Sequence, residues 1–210
     1  MNKIKILILT FIFSSLFFSC TENDSTTVVF LGKETYLKKM TEVIPDSLIG
    51  VFENYFGTIP SGYIPPNIEG EYIVTPKRRI FSNVSQDNWP LDIVEPDFNM
   101  TLSRQHNREC IMQLNEASST LTDTVYISGY DNMFSVYYTE DKTLQHSGYE
   151  HNITRNIILK GEITDTGIKD LKIASIIVKA YDNSNGNIIQ YKSGDFFLYE
   201  DGDKFSEKVY

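Results

Sequence analysis

The sequence predicts a mainly β protein: an antiparallel up-and-down barrel of about eight strands behind a short helical region, with a two-sheet β-sandwich as the alternative. Three observations predict it. From residue 68 onward, segments rich in Ile, Val, Tyr, Phe and Thr are separated by short clusters of turn residues. Within such segments apolar and polar positions alternate: Ile153, Ile157, Leu159 and Ile163 share one parity, and Thr154, Asn156, Lys160 and Glu162 the other. That is the pattern of a strand with one wet face. The connections are also short, whereas parallel crossovers need a dozen or more residues, so sequence neighbours should pair as a meander.

Composition sets the outer bounds. The chain has 210 residues, 41% hydrophobic, 13% aromatic and 22% charged, with a formal net charge of −9. One domain of that length can bury a self-sufficient core, and the apolar content is too high for disorder. An acidic balance argues against a nucleic-acid partner, because phosphate binding needs clustered Lys and Arg. Two cysteines cannot build the staple framework of a small secreted scaffold.

Read in order, the chain divides into residues 1–19, 20–31, 32–57 and 58–210. Lys3 and Lys5 form a basic start, and Ile6–Phe18 follows as an almost unbroken apolar run. It is too short to span a membrane comfortably and right for the apolar region of a signal peptide. Phe17-Phe18-Ser19-Cys20 then resembles a bacterial lipobox, of the looser kind found in Bacteroidetes-type lipoproteins. The resemblance implies cleavage before Cys20 and acyl chains, palmitate among them, on its thiol. Two or three chains anchor stably where one does not. Thr21–Thr27 is polar and reads as a tether. Thr21 stands where an inner-membrane retention aspartate would, and Glu22 and Asp24 resemble acidic residues that accompany surface export. The expected location is therefore the outer membrane, lipid-anchored and facing outward.

Within 32–57, Asp46 and Ser47 after Pro45 suit a helix start. Leu48, Phe52, Tyr55 and Phe56 fall on one face, and Gly57 sits where a C-terminal cap belongs. A weaker helical segment is expected over Thr35–Glu42. Thr58–Asn67 holds three prolines and a glycine, so it is an ordered loop. Strands are expected over Ile68–Thr75, Leu91–Leu102, Arg108–Asn115, Thr124–Tyr130, Met133–Glu140, Asn152–Ile163, Leu171–Tyr181 and Asn187–Glu200. Turns are expected at Asp131-Asn132, Glu140-Asp141-Lys142, Asp165-Thr166-Gly167 and Asp182–Gly186.

Two further resemblances arise here. Ile59-Pro60-Ser61-Gly62-Tyr63-Ile64-Pro65-Pro66-Asn67-Ile68-Glu69-Gly70-Glu71-Tyr72, with Tyr199-Glu200-Asp201-Gly202-Asp203 near the end, resembles a group of uncharacterised Bacteroidetes-type lipoproteins in which a short helix precedes a run of strands. Gly70-Glu71-Tyr72 more loosely resembles the Gly-x-Trp opening of lipocalins and other calycins, with Tyr in place of Trp. It implies a lipocalin-like barrel. Asp24-Ser25-Thr26, Asp46-Ser47-Leu48 and Asp123-Thr124-Val125 resemble a Bacteroidetes O-glycosylation motif, with Ser25 in the tether the best placed.

Candidate chemistry is sparse. His146 and His151, with Glu150 beside the second, lack a metal-binding pattern and read as surface residues, as does His106 in a polar turn. No Gly-x-Ser-x-Gly elbow occurs. Cys110 alternates with Met112 and Leu114 and reads as core filler. Asp201-Gly202-Asp203 lacks the rest of a calcium loop and reads as a solvated turn. Lys77-Arg78-Arg79 is the one basic cluster and reads as charge guarding a strand edge. Tyr126, Tyr130, Phe134, Tyr137 and Tyr138 gather on one hairpin, where any that are not core could stack on sugar rings.

Beyond Cys20 as the lipidation site, the sequence nominates no catalytic, cofactor-binding or metal residue and no ligand-binding residue. The expected role is non-catalytic: a lipid-anchored binding module for a small apolar or glycan-derived ligand. A structural or assembly lipoprotein contacting another envelope protein is the alternative. A barrel cavity of about 300 Å³ or more would favour binding, and a filled interior beside a large exposed apolar patch would favour a protein partner.

Overall fold

A computed structural model describes residues 46–84, 91–116, 119–146, 149–181 and 191–210. The signal-like leader, Cys20, the tether and Thr35–Glu42 lie outside the described residues. Among those described there is one helix, α1 (Asp46–Phe56), and eleven strands. These are β1 (Gly70–Val74), β2 (Lys77–Ser82), β3 (Val94–Glu95), β4 (Phe98–His106), β5 (Glu109–Glu116), β6 (Ser119–Tyr130), β7 (Met133–His146), β8 (Tyr149–Ile163), β9 (Gly167–Ala180), β10 (Phe196–Asp201) and β11 (Phe205–Val209).

All neighbouring strands pair antiparallel, and β11 pairs with both β1 and β9. That double pairing closes β1, β4, β5, β6, β7, β8, β9 and β11 into an eight-stranded barrel, and the sandwich alternative falls. β2, β3 and β10 lengthen three of these strands past irregularities in the chain. Both β1 and β2 run antiparallel to the β10–β11 path, on either side of a cis Thr75–Pro76 bond. The result is a continuous meander with no unpaired seam along its lower half.

The expected strand series holds in order but not in every bound. Leu91–Leu102 is broken between Glu95 and Phe98, and the strand expected from Asn187 begins at Phe196. The turn expected at Asp182–Gly186 lies outside the described residues. β2 and β11 were not anticipated, because Lys77-Arg78-Arg79 and Asp201-Gly202-Asp203 look like loop sequence. β7 runs straight through Glu140-Asp141-Lys142, where a turn was expected, and reaches His146. Charged residues there alternate as strand residues do: Asp141 accepts a hydrogen bond from Thr154 Oγ1 on β8 at 2.5 Å, while Glu140 and Lys142 face the barrel interior. The tight turns do fall where polar residues tolerate left-handed backbone. Asn107 and Asp131 have φ of 55° and 49° in the β4–β5 and β6–β7 hairpins.

α1 lies against the outside of the barrel over β7–β10 and β2. Phe52 and Phe56 are buried among Tyr137, Ile158, Ile176, Phe196 and Leu198. Phe52 meets Phe196 edge-on at 5.6 Å, and Tyr55 meets Phe81 at 5.1 Å. Burying each phenylalanine stabilises the docking by about 1.5–3 kcal/mol. The helix ends at Gly57, whose φ of 76° suits a residue without Cβ, and whose N–H donates to Glu53 O at 2.8 Å. Lys172 Nζ donates to the Tyr55 carbonyl and Lys160 Nζ to the Thr58 carbonyl, at 2.5 and 2.8 Å. Two cations thus meet the negative end of the helix.

From there the proline-rich segment crosses the base of the barrel. Gly62 lies flush on β6: a Cβ there would sit 2.1 Å from Gly129 O. Ser128 Oγ accepts from the Gly62 N–H at 3.1 Å. Gln105 holds the segment's end, donating to Pro66 O and accepting from the Ile68 N–H, both at 2.9 Å. Tyr72, fully buried, donates to Ile68 O at 2.9 Å beneath the Lys208 ammonium. Burial pushes its phenol up to about 12.

Candidate functional site

Inward-facing residues differ sharply between the two halves of the barrel. Near the base they are large and apolar: Tyr72, Met100, Leu102, Met112, Ile127 and Phe134 are all buried and fill the interior. Towards the ends where β2–β3, β5–β6, β7–β8 and β9–β10 connect, the interior opens into a cavity of about 390 Å³. Its apolar lining includes Phe98, Leu114, Leu121, Tyr138, Ile157, Leu159, Ile173, Tyr191, Phe197 and Tyr199. Set into that lining, among the described residues, are seven charged side chains: Lys77, Arg79, Glu95, Glu116, Glu140, Lys142 and Arg155.

Strand geometry puts each of them there. On β2 the alternation sends Lys77 and Arg79 inward and leaves Arg78 exposed. The register then shifts opposite Leu198 and Tyr199, turning Phe81 outward to α1. This is the ordinary work of a β-bulge. Glu95 on β3 stands directly across from Lys77. Glu116 continues the inward series of Cys110, Met112 and Leu114 on β5, and Glu140 that of Phe134, Val136 and Tyr138 on β7. Arg155 fills the inward position between Ile153 and Ile157 on β8, directly across from Glu140.

The charges pair with one another. Arg79 donates to Glu95 Oε1 through Nε at 3.0 Å and Nη2 at 2.5 Å. Lys77 Nζ lies 2.9 Å from Glu116 Oε1 and 3.4 Å from Glu95 Oε2. Arg155 Nε donates to Glu140 Oε1 at 2.6 Å, and Nη1 donates to Ser175 Oγ at 3.2 Å. Lys142 Nζ lies 3.5 Å from Glu116 Oε2. The cations also face rings: Lys77 is 5.2 Å from the Tyr199 centroid and Arg79 is 5.1 Å from that of Phe197.

For Glu116 and Arg155 these contacts favour the ionised form. Burial acts to raise the Glu116 carboxyl, but Lys77, Lys142 and Arg155 outweigh it and hold it below the usual carboxylate range. Burial acts against the Arg155 charge, and Glu140 more than offsets it. Tyr138 and Tyr199 are pushed up by burial and stay neutral. The site therefore combines charged, hydrogen-bonding side chains with an apolar lining. It can orient a polar group and enclose an apolar body.

The sequence-level candidates mostly lie elsewhere. Cys110 is buried in the core and its thiol is pushed up to about 12, first by burial and then by Glu69, so it is core filler as expected. His106 is exposed at the base, 3.4 Å from the Asn107 side chain. The side chains of His146 and His151 lie outside the described residues. Among the described residues no group of three His, Cys, Asp or Glu could hold a metal. The aromatic hairpin divides: Phe134 and Tyr138 face the barrel core, Tyr137 lies under α1, and Tyr130 is exposed.

Two expectations need correcting. The Lys77-Arg78-Arg79 cluster does not guard an edge; two of its three charges enter the barrel, because alternation applies to charged residues as it does to apolar ones. Asp201 is not solvated. It is fully buried and accepts a hydrogen bond from Ser206 Oγ at 2.6 Å, while Oδ1 has no partner. Glu95, Glu116, Glu140, Lys142 and Arg155 were not singled out from the sequence. Their signal was available: each of Glu116, Glu140 and Arg155 occupies an inward step of an otherwise apolar series.

No family model, no curated protein and no solved structure matches this chain.

Proposed function

We propose that this protein is a binding module that takes one small amphipathic ligand into the upper half of its barrel. The carrying observation is the cavity of about 390 Å³, whose lining combines apolar side chains with a set of paired charged ones. Its size falls within the range of pockets that enclose small molecules, about 300–1,000 Å³. A purely apolar ligand suits it poorly, since it would cover charged groups without offering them a hydrogen bond. The same proposal places the barrel at the cell envelope, with Cys20 as lipid anchor, on the strength of residues 1–20.

Native mass spectrometry of protein purified from its host tests both parts, reading acyl mass on Cys20 and any ligand retained by the barrel. In solution, the neutral fluorophore N-phenyl-1-naphthylamine should bind one-to-one to the wild-type chain. Leu121→Trp, which fills the cavity, should abolish that binding without unfolding the barrel. Probe binding that is absent, or indifferent to Leu121→Trp, would overturn the reading.

A further inference from the structure

Building on that binding reading, we propose that the ligand carries one oxyanion of the carboxylate class on an apolar body, and that Lys142 is the specificity-determining cation that meets it. The first support is a charge count. The chain as a whole has 28 acidic and 19 basic residues. The cavity lining inverts that balance, with Lys77, Arg79, Lys142 and Arg155 facing Glu95, Glu116 and Glu140. Among the described residues, one positive charge is left without a carboxylate of its own.

The second support is how the pairs are made. Glu95 takes both Nε and Nη2 of Arg79, and Glu140 takes the guanidinium of Arg155. Glu116 lies between two ammonium groups, but unequally. It accepts a hydrogen bond from Lys77 Nζ at 2.9 Å, while Lys142 stands back at 3.5 Å. An ammonium has three protons to donate and no acceptor capacity. Among the described residues, Lys142 makes only that one ion pair, longer than a hydrogen bond. What this wall lacks is an acceptor.

Position completes the argument. The Lys142 side chain is 30% exposed, against 10% for Lys77, 9% for Arg79 and 17% for Arg155. It is the least enclosed of the four and the one an incoming head group can meet without breaking an existing pair. Beyond it lie Leu121, Ile157 and Ile173 for the apolar body. A cationic ligand would instead have to displace a lysine or arginine from its carboxylate. A neutral ligand would leave the surplus charge uncompensated.

Isothermal titration of the folded barrel with decanoate, decan-1-ol and decyltrimethylammonium tests this. Decanoate should bind at least roughly tenfold tighter than decan-1-ol, the scale of one hydrogen bond to a charged group, and the ammonium should bind weakest. Lys142→Gln should weaken decanoate by about tenfold and leave decan-1-ol within about twofold. Should that variant melt early, raised salt gives the second readout: it should weaken decanoate and not decan-1-ol in the wild-type chain. If the alcohol or the ammonium matches decanoate, or Lys142→Gln leaves decanoate unchanged in a folded protein, the anion proposal fails while ligand binding stands. If none of the three binds and the neutral fluorophore also fails, both readings fall.

Discussion

The lower and upper halves of this barrel follow one backbone pattern and differ in what occupies its inward positions. Below, Met100, Leu102, Met112, Ile127 and Phe134 belong to one buried apolar cluster. Above, the same strands carry Glu116 after Leu114 and Glu140 after Tyr138, and Arg155 stands before Ile157. Here the charged side chains pair with one another, and a cavity of about 390 Å³ remains between them and the apolar lining. The difference shows how one fold serves two ends. Apolar packing gains from every contact and shrinks toward closure, whereas an ion pair, once its hydrogen bonds are made, gains nothing by filling the space beside it.

Three substitutions probe that contrast, in descending order of expected effect. Phe134→Ala removes a fully buried ring from the packed half and should lower unfolding stability by about 3–5 kcal/mol in urea titration. A loss under 1 kcal/mol would mean that the base is not packed as described. Arg155→Met strands the Glu140 carboxylate and should cost about 3 kcal/mol, while the double variant Arg155→Met/Glu140→Leu should recover most of it. Failure of the second change to rescue the first would show that Arg155 acts through contacts other than Glu140.

The smallest effect concerns Asp201, at the bend between β10 and β11. Burial, chiefly, with Asp203 adding to it, raises its carboxyl to about 6, against the donation from Ser206. A raised carboxyl binds its proton more tightly folded than unfolded. Its contribution to stability therefore falls as pH rises from about 4 to about 6 and stays low above that. Asp201→Asn should remove that slope and stabilise the protein by about 1 kcal/mol at pH 7.5. Thermal melts of both proteins at pH 4.5 and 7.5 measure it. A variant less stable than the parent at pH 7.5 would contradict the assignment.

How much of this was legible in the sequence depends on the range of the interaction concerned. The face of α1 was, because Leu48, Phe52, Tyr55 and Phe56 repeat with the helix and Gly57 ends it. The meander was, because its turns are short and rich in Asp, Asn and Gly. Cys110 read correctly as core for the same local reason. The failures share a cause. Lys77-Arg78-Arg79 was read as an edge, Glu140-Asp141-Lys142 as a turn and Asp201 as solvated. Lys77, Arg79 and Asp201 are buried, Glu140 and Lys142 are half-buried on a strand, and all five have partners, while Gly202-Asp203 does form a turn. A charged residue at an inward position looks like an interruption until its partner is known, and the partner lies far along the chain.

The sequence by itself determined the helix and its buried face, most of the strand segments, and the antiparallel order in which they follow one another. These rest on periods of 3.6 and 2 residues and on turn chemistry, all read within a few positions. Only the tertiary structure decided that β11 returns to β1 and closes the barrel, that Lys77 reaches Glu116, and that Arg155 joins Glu140 to Ser175. Those pairings bring together residues that alternation merely points inward. Pointing inward fixes which face a residue lies on, while closure of the whole meander fixes what it finds there, and so whether the interior is filled or open.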